Sequence, residues 1–395
     1  MNEHDHRRLG PSLNLFHQQE EAPGCVFWHP RGVTLYRLIE EHIRGAMRAG
    51  GFREVRTPQL VARSLWERSG HWAKFGNHMF SFVDGERSYA LKPMSCPGHI
   101  ELFRRTVQSY RELPVRFAEF GACHRYEPAG ALHGLMRGRA FTQDDAHVFC
   151  LPEHVEGEVA RFCELLQRVY ARFGFRKFQV GFSTRPALRD GSDALWDQAE
   201  ALLLDAGRRA GFEPRVQPGE GAFYGPKLEF ILEDREGREW QCGTIQLDLV
   251  LPEKLDARVV DAAGAFVRPL MIHHAVLGSI ERFIAVLLEH HRGRLPFWLA
   301  PEQVAVAPVS GAQEPYARKV AADFERAGLR CDVYASNDTL SRRLVAAREM
   351  GIPVFGIVGQ REEDAGTVVL REGNGQQQAR PISQATAWLV EQRGS

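Results

Sequence analysis

The chain has 395 residues, 44% of them hydrophobic and 25% charged, a length that suits two compact domains each able to bury a core. Its formal net charge of +0 excludes a global attraction to polyanions, so any nucleic-acid contact has to be a local patch. No apolar run approaches the ~20 residues of a membrane span, the start MNEHDHRRLG is too polar for a signal peptide, and seven widely spaced cysteines without a C-x-x-C argue for a reducing compartment, most simply the cytoplasm.

The first predicted helix runs from Gly32 to about Arg48, just after Pro30. Leu35, Leu38, Ile39, Ile43 and Met47 recur in it at helical spacing, and Gly50-Gly51 stops it. An extended segment from Phe52 to Pro58 follows, then short strands over Met79–Val83 and Ser88–Leu91 around Asp84-Gly85. A helix is expected over 97–108. Pro114–Phe120 and Phe141–Phe149 read as strands flanking a long loop rich in Gly and Arg. Glu153–Phe173 is amphipathic, Phe178–Ser183 a strand, and Asp193–Ala210 a helix ended by Gly211. Leu228–Leu232 and Trp240–Val250 form strands around the turn Arg235-Glu236-Gly237, and Gly278–His290 reads as an apolar helix. Strands in close succession with helices between blocks predict an α+β domain over 1–297, a mostly antiparallel sheet flanked by helices. After Arg292-Gly-Arg-Leu-Pro296 the pattern changes. Strands at Val304–Val309, Cys331–Ala335 and Pro353–Val358 alternate with helices at 313–327 and 339–350, a small α/β domain over 298–395 with some parallel pairing.

Three distant stretches combine two chemistries. Arg125-Tyr126-Glu127 leads to Arg137 and the run Ala-Phe141-Thr-Gln143-Asp-Asp145-Ala-His147. Ser95-Cys96-Pro-Gly-His99 is the second, and His273-His274-Ala-Val-Leu-Gly278-Ser279-Ile-Glu-Arg282 the third. Arg125, Glu127 and Arg282 suit the phosphates and base of ATP, arginine offering a planar fork to phosphate. Cys96, His147 and His273 suit a zinc ion with one face open. Alone, each reads as structural: a lone cysteine, a surface Arg-x-Glu pair and a helix-surface Glu281-Arg282 pair are all common. Gly278-Ser279, opening the apolar helix, would add backbone N–H groups for an anion.

With the phrases EEAPGCVFWHP, GHW, CHRYEP, LHGLMR, FTQDDAHVFC, STRP, GEGAFYGPK and WQCGTIQLD in order, the chain resembles the class II aminoacyl-tRNA synthetases, specifically the threonyl-tRNA synthetases. The likeness runs from about Asp5 to the C-terminus, densest to Trp298. It implies a class II catalytic domain followed by an anticodon-binding-like domain, and a homodimer built on the helix, strand and Pro58 near the N-terminus. It implies one zinc per chain held by Cys96, His147 and His273, and Mg2+ with ATP. Arg125 would touch the α-phosphate and the amino acid carboxylate, Glu127 the adenine amine and Arg137 the outer phosphates. Phe141 and Arg282 would hold adenine from opposite faces, with Gln241 and Lys227 as secondary contacts and Arg125 and Arg282 as the catalytic pair. Asp145 would take the hydroxyl proton of threonine and Tyr224 its amine, with Gln143 and Gln246 beside them.

The implied activity is ATP-dependent formation of threonyl-adenylate and transfer to threonine tRNA. Family members ordinarily carry a small N-terminal domain and an editing domain ahead of this region, so charging without editing is the expectation. Ser95, His274, Tyr126 and Ala140 replace the usual residues. His274, beside a zinc ligand, could confuse the ligand assignment. From Trp298 to Ser395 there are 11 Lys and Arg against 12 Asp and Glu, a weak footprint for RNA, although Asn337 and Arg371 match anticodon-reading positions. Thr339, Val345 and Glu372-Gly-Asn-Gly stand where basic residues are frequent. Two alternatives remain open at this point: an adenylate-forming paralogue that loads a carrier protein or small molecule, and a non-catalytic binding protein on the same fold.

Overall fold

The computed structural model describes residues 3–233, 237–335, 338–373 and 375–394. The expected turn at Arg235-Glu236 and the anticodon-position match Asn337 lie outside them. The chain forms two compact units, one of Gln18–Cys25 and Glu40–Val286, the other of Met1–His17, Val26–Ile39 and Leu287–Ser395. Among the described residues no helix is long and apolar enough to cross a membrane.

Helix α1 (Pro30–Ala49) carries Leu35, Ile39, Ile43 and Met47 on its buried stripe, and Gly51 ends it with φ +81. The first unit is built on an eight-stranded sheet. In chain order its strands are β1 (Arg53–Glu54), β2 (Val115–His124), β3 (Ala140–Cys150), β4 (Phe178–Ser183), β5 (Arg215–Gln217), β6 (Lys227–Glu233), β7 (Glu239–Asp248) and β8 (Leu270–Ser279). Their spatial order is β5-β4-β6-β7-β8-β3-β2-β1, antiparallel through the six central strands and parallel at both edge pairs. Helices α2 (Cys96–Thr106), α3 (Val155–Arg172), α4 (Asp193–Arg209) and α5 (Ile280–His290) flank it. A separate three-stranded sheet joins Leu60–Ala62, Ser81–Asp84 and Arg87–Leu91.

Two expectations are corrected. The extended segment from Phe52 to Pro58 contributes only Arg53–Glu54 to the sheet. The apolar helix begins at Ile280, because Leu270–Ser279 is the strand β8 at the centre of the sheet. Seven consecutive residues of β8 are buried, so no alternation of polar and apolar residues marked it as a strand.

In the second unit a five-stranded sheet is formed by β9 (Val304–Pro308), β10 (Cys331–Val333), β11 (Val354–Val358), β12 (Thr367–Glu372) and β13 (Gln377–Pro381), ordered β10-β9-β11-β12-β13. The β9–β10 and β9–β11 pairs are parallel, as the alternation of strand and helix predicts. Its helices are α6 (Glu314–Arg326), α7 (Leu340–Glu349) and α8 (Ile382–Gly394). The antiparallel β12–β13 pair and α8 have no counterpart in the sequence reading.

Candidate active site

Register alone gathers most of the predicted residues on one face of the eight-stranded sheet. Side chains of a strand alternate between faces, and paired residues share a face. In β3 this puts Phe141, Gln143, Asp145 and His147 together, and His147 pairs directly with His273 of β8. His273 pairs with Gln246 of β7, which pairs with Lys227 of β6. A register shift between Phe230 and Ile231 then pairs Ile231 with Gln241. Gln241 reaches the side chain of Glu229, two residues along β6 from Lys227. His274 lies on the other face, ringed by Phe52 at 5.1 Å and Phe162 at 4.7 Å, so it does not compete with His273 as a ligand. Burial lowers His274 to about 3.

Cys96 enters from α2. Cys96, His99, Ile100 and Phe103 are the buried residues at helical spacing, so the periodicity that buries the helix also delivers Cys96 to the sheet. The donor atoms of Cys96, His147 and His273 all lie within 4.8 Å of one another. His147 Nε2 and His273 Nδ1 are 3.1 Å apart. Burial, with Asp145 and Asp248 nearby, pushes the Cys96 thiol well up, and burial holds His147 well down. A sulfur and two imidazole nitrogens, stripped of water, form a donor set that fits zinc, whose binding would replace the thiol proton. His273 Nε2 donates to Asp248 Oδ2 at 2.8 Å, and Asp248 Oδ1 is fixed by the amides of Val250 and Leu251. This is the carboxylate support that ligating histidines commonly have.

Around this set stand the residues assigned to the amino acid. Tyr224 stacks on His273 at 4.7 Å and donates to Gln246 Oε1 at 2.8 Å. Asp145 Oδ1 is 3.9 Å from His147 Nε2, and the Ser95 amide donates to Asp145 Oδ2 at 3.4 Å. Burial raises the Asp145 carboxyl, offset in part by His99 and His273. Gln143 Oε1 is buried without a hydrogen-bond partner among the described residues, an acceptor left for a donor on a ligand.

The arginines converge next to it. The Arg125 guanidinium lies 5.0 Å from the Phe141 ring centroid, and its Nε donates to the Pro93 carbonyl at 3.2 Å. Arg282 donates from Nε to the Met136 carbonyl at 3.1 Å and from Nη1 to the Gln241 carbonyl at 3.5 Å. Burial lowers Arg282 from its ordinary value, and the like charges of Arg125 and Arg137 lower it further. Converging, partly desolvated cations are what a polyphosphate relieves. Arg137 is paired with Glu127, Nε to Oε2 3.0 Å. The Arg137 side chain is 54% exposed, so the pair is worth at most ~1 kcal/mol and a ligand can open it. Lys227 Nζ and Gln241 Nε2 both bond Glu229 Oε1 at 2.6 Å, so Glu229 holds both side chains in place.

Arg282 is aimed by a bulge. Between the pairs Ala275–Asp145 and Ser279–Gln143, β8 holds three intervening residues and β3 only one. Asp144, on the face of β3 away from the site, accepts from the amides of Val276, Leu277 and Gly278 at 2.8, 2.8 and 2.9 Å. Gly278 has φ +84, and a Cβ there would stand 2.8 Å from the Cys242 carbonyl, so only glycine fits. The anion seat expected from Gly278 is therefore taken, because its N–H already serves Asp144.

The profile of the tRNA synthetase class II core domain (G, H, P, S and T) matches residues 79–291, and that of an anticodon-binding domain matches 303–392. A crystal structure titled as the RNA-binding domain of threonyl-tRNA synthetase from Cryptosporidium parvum superposes with TM-score 0.95 at 38% identity, covering 98% of each chain. The chain belongs to the class II tRNA synthetase family. The threonine–tRNA ligase of Paramagnetospirillum magneticum is 52% identical over 98% of this chain and 61% of its own length. That of Caulobacter vibrioides is 52% identical over 95% of this chain and 57% of its own length. The chain thus spans about 60% of the curated relatives it matches. Prolyl-tRNA synthetase of Giardia lamblia, solved with prolyl-adenylate, shares the class II synthetase fold at TM-score 0.74 and 18% identity, over 98% of this chain and 79% of its own.

Residue-by-residue reading of this synthetase core missed His71, His99, Asp144, Glu229 and Asp248. His71 Nε2 lies 3.7 Å from Cys96 Sγ, and burial lowers it to about 3. A signal for His99 was present, since it follows Cys96 by three residues on one helix face. For the others, the contact that ties each to the site comes from far along the chain, Cys96 for His71, the β8 amides for Asp144, Gln241 for Glu229 and His273 for Asp248.

Proposed function

We propose that the chain activates L-threonine with ATP to threonyl-adenylate and transfers it to threonine tRNA. One observation carries the proposal: a buried Cys96, His147 and His273 donor set on the same sheet face as Gln143 and Asp145, with Arg125 and Arg282 adjacent. Three protein donors leave a coordination position open to a substrate. Zinc bound there, one per chain, would ligate an amino acid carrying a β-hydroxyl. Asp145 would accept the hydroxyl proton and Tyr224 would meet the amine, with Gln143 beside them. Arg125 would hold the α-phosphate and the carboxylate in line, and Arg282 would cover adenine opposite Phe141. Glu127, freed from Arg137, would accept from the adenine amine while Arg137 holds the outer phosphates with Mg2+. Charge building on the α-phosphate in the transition state then meets fixed cations that need no reorganisation. All seven cysteines are free thiols, which fits a reducing compartment such as the cytoplasm. We assign the homodimer to the segment around Arg53–Pro58, and the domain boundary to residues 297–298.

The test is threonine-dependent exchange of pyrophosphate into ATP together with metal analysis. We expect one zinc per chain, lost with threonine activation in Cys96→Ala. No exchange with any β-hydroxy amino acid would remove the proposal. A second reading, loading of a carrier protein with the same adenylate, is favoured by the charge of 298–395, 11 Lys and Arg against 12 Asp and Glu.

A further inference from the structure

We propose that Glu119 is a positioning residue for the metal site, fixing through His99 which nitrogen of His147 carries the proton. The inference rests on the metal reading above and assigns a role to a relay behind it. Glu119 Oε2 lies 3.1 Å from His99 Nε2. A carboxylate only accepts, so a neutral His99 carries its N–H on Nε2 and keeps the lone pair on Nδ1. That Nδ1 is 2.8 Å from His147 Nδ1, which must donate. His147 Nε2 is thereby left with its lone pair, 3.1 Å from His273 Nδ1. Asp248 sets His273 in the same sense, taking its Nε2–H at 2.8 Å. Two lone pairs so close repel each other, and a cation between them and the Cys96 sulfur removes the repulsion.

Glu119 itself has no freedom to turn. Its Oε1 accepts from Lys92 Nζ at 2.8 Å and from the Thr57 amide at 2.9 Å, and its Oε2 from Thr57 Oγ1 at 2.8 Å. Both Glu119 and Lys92 are buried, at 4% and 2% exposure. A buried ammonium–carboxylate pair adds little stability over an apolar pair. What this one adds is direction, since an apolar residue at position 119 would leave the His99 tautomer unset.

Glu119→Gln tests it, because the amide can donate towards His99 Nε2 and reverse the relay. Long-range 1H–15N spectra of histidine-labelled wild-type protein should show His147 protonated on Nδ1, with and without zinc. In Glu119→Gln that pattern should change, zinc should bind about 10- to 100-fold more weakly, and the cobalt-substituted protein should show an altered visible spectrum. A folded Glu119→Gln with the wild-type His147 pattern and unchanged zinc affinity would overturn the proposal. Wild-type protein that takes up no zinc would instead overturn the metal reading, and the histidine spectra would still decide the relay. If Glu119→Gln does not fold, His99 decides. His99→Gln can accept from His147 and donate to Glu119, so it should keep zinc, whereas His99→Leu should lose it. Equal zinc affinity in these two variants would count against the relay.

Discussion

At the residue scale the site separates two tasks. Arg125 and Arg282 stand beside each other against repulsion, with Arg282 desolvated. We expect Arg125→Ala and Arg282→Ala to lower threonine-dependent pyrophosphate exchange by about 10²-fold or more while leaving zinc content unchanged, because they act on charge that develops in the transition state. In the proposed function, selection of the amino acid would belong to the metal donors. Valine matches threonine in shape and lacks the hydroxyl, whereas serine lacks only a methyl group. We expect valine to be rejected strongly and serine by only about 10- to 200-fold, measured as kcat/KM for exchange. Similar rejection of both would show that the metal does not select.

At the scale of elements, the β8 bulge couples the sheet to α5. Asp144 satisfies three amides with two oxygens. In Asp144→Asn one oxygen becomes an NH₂ facing N–H donors. We expect a loss of ~1–3 kcal/mol in stability by urea unfolding, together with slower exchange as the start of α5, and Arg282 with it, shifts. The sheet also sets the acid limit. Burial pushes the Glu119 carboxyl up, but hydrogen bonds from His99, Lys92 and Thr57 outweigh it and bring it from its ordinary 4.5 down to about 2. Such a group contributes fully above ~4.5 and loses its contribution as pH falls towards 2. Buried neutral His274, lowered from 6.5 to about 3, has the same sign and begins to act near pH 6.5. The stability gap between wild type and Glu119→Gln should therefore narrow between pH 4.5 and 2. A gap constant over that range would show that Glu119 is not held ionised by its partners.

On the scale of the whole molecule, the proposed catalytic face accompanies a second sheet unit with little positive charge. Thr339 caps α7 instead of offering a cation, and Val345 is 55% exposed on the same helix. Arg371 remains exposed on β12. We expect threonine tRNA to be charged, with binding that weakens as salt rises along a shallow slope set by few phosphate contacts. Filter binding between low and physiological salt measures that slope. Normal adenylate formation with no charging at low salt, or transfer of the threonyl group to a phosphopantetheine thiol with release of AMP, would favour the carrier reading.

Much of this was legible in the sequence for a physical reason. Helical periodicity is local, so α1, α3 and α4 are found within a few residues of their predicted ends. The proposed metal donors and the arginines proposed to face phosphate were singled out only through whole phrases, since Cys96, His147 and His273 separately are ordinary core residues. Tertiary structure alone decided the rest. A strand buried on both faces has no period to read, so β8 emerged only when β7 and β3 paired with it. That pairing sent His273 towards His147, 126 residues away, and His274 to the opposite face. It also brought Asp144 and Asp248 their partners in β8, while Glu119 took its donors from His99, Lys92 and Thr57 and Glu229 from Lys227, Gln241 and Ser183, so in sequence all four read as surface carboxylates.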